Sequence, residues 1–331
     1  MTSLFPFRLL LLCIAFIAVP VQAASSAVPE KRINGTTYYS LPAWVEAKHL
    51  SSGWVKRNDI FQITNRSARI RLNVSSREAE ADGAKLWLLF PFVKYKGGLY
   101  IAKLDAEHTL QPLLFPPRNL PRDKVMTICL DPGHGGKDPG NHVGSHQEKD
   151  YTLLLAYELR DQLRKAGLNV VLTRWSDKYV GLAGRPAAAK RTKADLLVSL
   201  HFNATSVGRG TVRGVETYAL TPAGARSTAA AGQGDTGGWT TGNRNNDDNL
   251  LLACQIQQQL AKRLGTEDRG VRRARYWVLR DAVMPAVLVE GGFMSHPAEG
   301  RKIFSAAYRQ QMARAIKDGI LDYKRIVERP R

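Results

Sequence analysis

The sequence predicts an α/β protein: a three-layer, mainly parallel twisted sheet with helices on both faces, preceded by a small N-terminal α+β domain. Two observations support this. Beyond residue 124, strand-like runs that are apolar throughout alternate with amphipathic helical segments, which is typical of parallel strands buried on both faces. Before residue 115, short strand-like segments follow one another closely, and one of them alternates apolar and polar residues.

The chain begins with the features of a secretory signal peptide. Arg8 precedes an apolar run over residues 9–19, and Val21 and Ala23 place small residues at the positions that signal peptidase requires. The run is shorter than the roughly 20 apolar residues of a membrane span. We therefore predict a signal peptide at 1–23, export to the periplasm or cell envelope, and no transmembrane span after its cleavage.

The composition favours an anionic partner. The 331 residues include 48 Lys and Arg against 29 Asp and Glu, a formal net charge of +19. Such an excess attracts polyanions, and export excludes nucleic acid in favour of an envelope polymer. A basic surface that only keeps the protein soluble is the alternative.

Cys129 and Cys254 remain after signal cleavage, and their strand and helix contexts predict two free buried thiols rather than a disulfide.

Residues 31–115 are predicted to form a small strand-rich domain. Strands at 60–63 and 70–74 flank a turn at 65–67 and predict a hairpin, a short helix covers 42–50, and further strands cover 86–90 and 98–101. No cluster of His, Cys or carboxylate residues lies here. The start at 33–35, the helix entry at 41–42 and the hairpin resemble a copper amine oxidase N-terminal-like domain, which implies a wall-binding or spacer role without copper. Four prolines around 112–121 then predict a linker at 116–123.

The predicted catalytic domain covers 124–325. Its strands are predicted at 125–130, 170–172, 196–200, 215–220 and 286–289, and its helices at 150–166, 249–264 and 308–323. Gly167 and Gly265 close the first two helices. Residues 223–248 interrupt the alternation with Gly, Thr, Asn and Asp, so we expect a mobile surface insertion. A lid over the site is the alternative, and whether Trp239 within it contacts substrate stays open.

Three of these strands end at residues that bind metals or move protons. His134 follows the first strand through a short turn, His201 directly follows the third, and Glu290 directly follows the last. The carboxyl ends of parallel strands share one edge of the sheet, where ligands of open α/β folds bind. Glu148 precedes the helix that must begin at the same edge. We therefore expect these four side chains to converge.

Two imidazoles, one carboxylate and one open position form a recurrent catalytic zinc arrangement, and a second carboxylate supplies the general base. The residues alone do not decide which of Glu148 and Glu290 binds metal, and His142 and His146 are rival ligands. The glycines at 133–136 also suit a tight turn, but not a dinucleotide or phosphate loop. A nucleophile-elbow serine motif and a His-Glu-x-x-His helix are both missing from the sequence.

Three segments make the family resemblance specific: 128–136 (ICLDPGHGG), 197–204 (LVSLHFNA) and 285–293 (PAVLVEGGF), with Glu148 between the first two. Over about 124–323 the chain resembles the zinc-dependent N-acetylmuramoyl-L-alanine amidases of the AmiC and CwlV type, the amidase 3 family. The resemblance implies one zinc ion bound by His134, Glu148 and His201, with Glu290 as the catalytic carboxylate. It also implies peptidoglycan as the substrate, cleaved between the lactyl group of N-acetylmuramic acid and L-alanine.

Three side chains are further candidates for contacting the substrate: Arg174, Asn203 and Arg269. Two other functions remain alternatives, a non-catalytic peptidoglycan-binding or amidase-activating protein and a zinc peptidase acting on the stem peptide. The complete set of four residues argues against the first. The sequence identifies no activator protein as a partner.

Overall fold

The computed structural model describes residues 28–118, 124–228 and 236–329. The predicted signal peptide at 1–23 lies outside the described residues, as does the 119–123 part of the predicted linker. Across the described ranges, no helix combines the length and apolarity that crossing a membrane requires.

The N-terminal half consists of antiparallel strands with short helices. The predicted hairpin is present, since Phe61 pairs with Leu72 and Ile63 with Ile70, and Pro42 stands in the first turn of the predicted helix, where its missing N–H is tolerated. A single π-helical turn, Ala106–Leu110, separates the last two helices. The elements are β1 (Glu30–Ile33), β2 (Thr36–Ser40), α1 (Leu41–Ala47), β3 (Ser51–Lys56), β4 (Ile60–Thr64), β5 (Arg69–Asn73), β6 (Ser76–Ala81), β7 (Ala84–Tyr95), β8 (Gly98–Ala102), α2 (Lys103–Asp105) and α3 (Gln111–Leu114).

The C-terminal half alternates strands and helices. Gly265 adopts the left-handed conformation that closes the helix ending at Leu264, as its position predicts. The elements are β9 (Thr127–Pro132), β10 (His142–Val143), β11 (His146–Gln147), α4 (Glu148–Lys165), β12 (Asn169–Leu172), α5 (Gly184–Arg191), β13 (Leu196–Asn203), β14 (Val215–Leu220), α6 (Asn246–Leu264), β15 (Asp268–Ala274), α7 (Trp277–Arg280), β16 (Ala286–Phe293), α8 (Pro297–Phe304) and α9 (Ala306–Val327).

The central strands run in the order β12-β9-β13-β16-β14-β15. All neighbouring pairs in this run are parallel except β14 with β16, which is antiparallel. Helices α4, α6 and α9 pack together and cover one face, while α5 and α7 contact the other. The predicted three-layer, mainly parallel α/β fold is therefore confirmed.

The two cysteines of the described residues, Cys129 and Cys254, are buried free thiols, as their strand and helix contexts predict.

The N-terminal strands continue the same sheet. β7 lies parallel to β15, with Leu86 opposite Val271, and β6, β5, β4 and β3 follow outward from it. The Lys85 amide donates to Asp268 at 2.8 Å, and the Trp87 indole donates to the carbonyl of Arg269 at 2.8 Å. The sequence did not predict β15, because its seven residues include one Asp and three Arg and no apolar alternation. Pairing with β7 covers an edge that β15 would otherwise expose.

Two predicted boundaries shift in ways that matter for the site. Strands β13 and β16 run past the predicted ends, so that His201 and Glu290 lie within strands rather than after them.

In the predicted insertion, residues from Thr241 onward form a short 3₁₀ helix and then α6. The remaining described part is anchored rather than loose, because the guanidinium of Arg275 donates to the carbonyls of Ala225 and Thr236.

Candidate active site and metal centre

Three of the four predicted residues meet at the carboxyl edge of the sheet. The side chain of Glu148, the first residue of α4, lies between two imidazoles: its Oε2 is 3.1 Å from His134 Nε2, and its Oε1 is 2.9 Å from His201 Nδ1. One potential ligand atom from each of the three residues lies within 4.8 Å of the others. The geometry therefore places Glu148, rather than Glu290, between the two imidazoles.

Neighbouring polar groups orient these donors. Asp138 Oδ2 lies 2.9 Å from His134 Nδ1, which leaves Nε2 to face Glu148. The backbone amide of Asn141 donates to Glu148 Oε2 at 2.9 Å, and that of Phe202 donates to Oε1 at 3.0 Å. A carboxylate on the far nitrogen of a histidine ligand is the usual way to fix its tautomer and ring direction. Sequence analysis did not identify Asp138, although it lies in the same loop.

Electrostatics keep the central carboxylate ionised. Burial alone would raise the pKa of Glu148, but hydrogen bonds and charge interactions with His134 and His201 outweigh it and hold that pKa far below its usual value. An anionic carboxylate between two imidazoles fits a divalent zinc ion, which binds nitrogen and oxygen donors in this combination.

The backbone is shaped around the donors. His134 has a φ of +62°, a left-handed conformation that is uncommon for a side-chain-bearing residue. Gly140 also has a positive φ, and a Cβ there would lie 2.6 Å from His134 Cδ2 and 2.7 Å from Glu148 Oε2. Strained backbone held by its surroundings is characteristic of functional sites.

The rival histidines take other roles. His142 is exposed on β10. His146 Nδ1 lies 2.5 Å from the Tyr151 hydroxyl, and its ring stacks on Phe304 with centroids 3.8 Å apart. Neither belongs to the cluster of potential ligands found among the described residues.

Glu290 lies beside the cluster. It is the register partner of His201 on the neighbouring strand. Its Oε2 is buried and lacks a hydrogen-bond partner among the described residues. Burial raises the pKa of Glu290 well above its usual value, and the nearby Glu148 and Glu216 carboxylates raise it further. A carboxylate whose affinity for a proton is raised in this way suits a general base, and a divalent cation nearby would oppose the shift.

Asn203 and Arg269, two of the predicted substrate contacts, bind a buried carboxylate instead. Glu216 on β14 is the register partner of Glu290. Asn203 Nδ2 donates to it at 3.2 Å, Arg269 Nε at 3.1 Å and the Tyr218 hydroxyl at 2.6 Å. Neither predicted residue lines the cleft into which the cluster of His134, Glu148 and His201 opens. The sequence could not show this, because the pairing depends on the antiparallel placement of β14.

Arg174, the third predicted substrate contact, is only 2% exposed. Its guanidinium donates to the carbonyls of Pro132, Gly133 and Lys149 at 2.7 to 3.0 Å. It therefore clamps the loop that carries His134 to the start of α4. This corrects the expectation of a substrate contact: a fully engaged, buried guanidinium is not available to a ligand.

Beneath the same loop, the fully buried Asp131 is the centre of a polar network. Its Oδ1 accepts from Arg185 Nη1 at 2.8 Å and Thr173 Oγ1 at 2.6 Å, and its Oδ2 accepts from Ser199 Oγ at 2.7 Å. Burial disfavours its charge, but the Arg185 charge and these hydrogen bonds outweigh that, and the pKa of Asp131 lies below its usual value. Arg185 also donates to the carbonyl of His134 at 2.9 Å. The network thus supports the backbone of a candidate ligand.

We expect Asp131→Asn to lower the free energy of unfolding by about 3 kcal/mol, because it leaves the buried Arg185 charge without its counter-ion. Urea unfolding measures the change. The matched control is Asp161→Asn, which breaks a surface pair with Arg160 whose aspartate side chain is 53% exposed and should change stability by less than about 0.5 kcal/mol. Equal effects from the two substitutions would contradict a supporting role for Asp131.

The cluster opens into a cleft with a volume of about 390 Å³. The cluster forms the polar centre of the cleft, and apolar side chains form one of its walls. That wall was not predicted from the sequence. That wall comprises Leu182 and the segment at the start of α7, Tyr276, Trp277 and Val278. These residues give no metal or acid–base signal in a sequence, and only the fold places them near Glu290.

Comparison with known proteins agrees with this geometry. The family model described as N-acetylmuramoyl-L-alanine amidase matches residues 128–322. The chain is 38% identical over 218 residues to N-acetylmuramoyl-L-alanine amidase AmiC of Neisseria meningitidis serogroup B, covering 59% of this chain and 52% of that protein. It is 34% identical to the uncharacterized protein YqiI of Bacillus subtilis, covering 60% of this chain and 84% of that protein. The chain thus spans about half the length of the AmiC relative.

Solved structures show the same likeness. An N-acetylmuramoyl-L-alanine amidase from Clostridium difficile 630 matches with a TM-score of 0.52 and 33% identity, over 60% of this chain and 97% of that one. Amidase AmiC2 of Nostoc punctiforme matches with a TM-score of 0.50 and 32% identity, over 60% and 96%.

Proposed function

The chain belongs to the N-acetylmuramoyl-L-alanine amidase family, and on that premise we propose that it is a peptidoglycan hydrolase. The bond cleaved is the amide between the lactyl group of N-acetylmuramic acid and the L-alanine of the stem peptide. One observation carries the proposal beyond family membership: His134, Glu148, His201 and Glu290, which are far apart in sequence, line a single cleft.

The residues that would hold the metal are His134, Glu148 and His201, whose donor set and spacing fit one zinc ion. A zinc ion at this position supplies a Lewis acid that polarises an amide carbonyl and acidifies water. The chain contributes the orientation of the donors, through Asp138 behind His134 and the backbone amides on Glu148.

Glu290 moves the proton in this proposal. Its carboxylate accepts a proton from the attacking water and delivers it to the alanine nitrogen as the amide breaks. Two features support this role: its unpartnered buried oxygen and the raised pKa caused by burial, Glu148 and Glu216. An amide nitrogen is a poor leaving group unless protonated, so the step requires a group that takes the proton from the water and passes it to that nitrogen.

The two halves of the chain would have different roles in the cell envelope. We propose export to the periplasm or cell envelope after removal of residues 1–23, with peptidoglycan as the partner. Residues 124–325 would form the catalytic domain, and residues 31–115 a wall-binding or spacer domain that is joined to it through β7 and β15. The net charge of +19 suits attraction to an anionic envelope.

Digestion of purified peptidoglycan with the purified chain, followed by mass spectrometry, tests the proposal. An amidase releases stem peptides with a free L-alanine amino terminus and leaves peptide-free glycan strands. Cut cross-links with peptides still attached to muramic acid would show a peptidase instead. Binding to peptidoglycan without any cleavage would favour the non-catalytic alternative.

A further inference from the structure

Trp277 is held on the wall of the catalytic cleft with much of its ring uncovered. It is the first residue of α7, and 51% of its surface is exposed. The Arg280 guanidinium lies 4.4 Å from the ring centroid and occupies one face. The preceding Tyr276 packs edge-on against Tyr218, with centroids 5.2 Å apart, which fixes the backbone at the start of the helix. The indole is therefore covered by a guanidinium on one face, while about half of the Trp277 surface stays exposed at the cleft.

Leu182 lines the same cleft from a different part of the chain. It lies in the loop before α5 and is 55% exposed. Exposed apolar side chains that gather at one cleft commonly mark a binding surface, since folding alone gains nothing from leaving them in water. Trp277 and Leu182 thus form an apolar rim around a polar centre.

Among the described residues, the arginines around this rim already have partners, and Arg280 stacks on the Trp277 ring. Among the described lining residues, the two arginines are committed elsewhere: Arg185 binds Asp131 and two backbone carbonyls, and Arg275 binds carbonyls of the 221–238 segment. The lining also carries the carboxylates of Asp138, Glu148 and Glu290. A peptide rich in carboxylates finds no uncommitted cation on these lining residues, whereas a sugar needs none.

Resting on the proposed function and extending it, we propose that Trp277 is a stacking platform for a pyranose ring of the glycan, beside the amide to be cleaved. In the substrate, the lactyl carboxyl is part of that amide, so the sugar that carries it is uncharged. The C–H face of the ring packs on the exposed part of the indole, and Leu182 offers a second apolar contact in the same cleft. Trp277 thereby selects amides that are attached to a sugar.

Two soluble substrates separate sugar recognition from peptide recognition. N-acetylmuramoyl-L-alanyl-D-isoglutamine carries the ring, and D-lactoyl-L-alanyl-D-isoglutamine has the same amide without it. We expect Trp277→Ala to lower kcat/KM for the first about threefold to tenfold, mainly through KM, and to leave the second unchanged. Trp277→Phe should restore most of the loss, because it keeps an aromatic face.

Trp175→Ala is the matched control. Trp175 is 49% exposed and also has an arginine over its ring, Arg160 at 5.7 Å, but it does not line the cleft. The substitution should change the rate on neither substrate. Equal losses on both substrates with Trp277→Ala, a loss on the lactoyl peptide alone, or an equal loss with Trp175→Ala would each overturn the proposal.

Sugar binding is also measured without turnover, by saturation-transfer NMR with the neutral tetramer of N-acetylglucosamine. Binding at millimolar concentration by the wild-type chain that is lost in Trp277→Ala supports the platform, even if the chain hydrolyses neither substrate and the proposed function fails. No binding by the wild-type chain, or equal binding by Trp277→Ala, overturns the platform while leaving the proposed function standing.

Discussion

Replacing Glu290 with glutamine should reduce peptidoglycan amide hydrolysis by about 10³-fold or more while the chain keeps its metal. The substitution preserves the shape of the side chain but removes its ability to take up and release a proton. Glu290 lies outside the cluster of three potential ligands, so metal content should not change. The measurement is the rate of release of free L-alanine amino termini, with zinc determined on the same sample.

Two further results complete that test. Glu46→Gln, which changes an exposed glutamate in the N-terminal half, should leave the rate unaltered. Retention of full activity by Glu290→Gln would exclude Glu290 as the general base. Loss of zinc together with activity would instead assign it to the ligand set.

Replacing His134 with alanine should remove the bound zinc and activity together. Three protein donors are the usual minimum for a catalytic zinc ion, and the loss of one imidazole leaves two. We expect zinc to fall from about one per chain to a small fraction, as measured by elemental analysis after dialysis. Circular dichroism should show the fold retained, since His134 lies in a loop outside the hydrophobic core.

A nearby histidine on β10 supplies the control. His142 is exposed and lies eight residues further along the chain, so His142→Ala should keep both zinc and activity. Zinc loss in His142→Ala, with zinc retained in His134→Ala, would show that the ion is held by a different set of ligands.

The convergence of His134, His201 and Glu290 could be predicted because all three lie at the carboxyl ends of parallel strands, which share one edge of the sheet. Residues at the carboxyl ends of adjacent parallel strands must meet, and the structure makes His201 and Glu290 direct register partners. The sequence left open which glutamate faces the imidazoles. That choice depends on where α4 begins, and its first residue, Glu148, points back between His134 and His201.

The contacts that support the site could not be predicted from the sequence. An arginine or asparagine that binds a ligand cannot be told there from one that binds the protein's own backbone or side chains. The Arg174 guanidinium donates to backbone carbonyl groups, and that of Arg269 donates to Glu216. The pairing of β7 with β15 was not predicted for a related reason. The charged segment Asp268–Ala274 becomes a strand through pairing on both edges, not through an apolar pattern of its own.

We propose that a divalent metal ion held by His134, Glu148 and His201 is required for cleavage of the muramoyl–alanine amide. The direct measurement is the release of free L-alanine amino termini from purified peptidoglycan by one protein sample, assayed as purified, after chelation, and after zinc is returned. We predict that chelation stops the release and that zinc restores it. Undiminished release by the metal-free protein would contradict the claim.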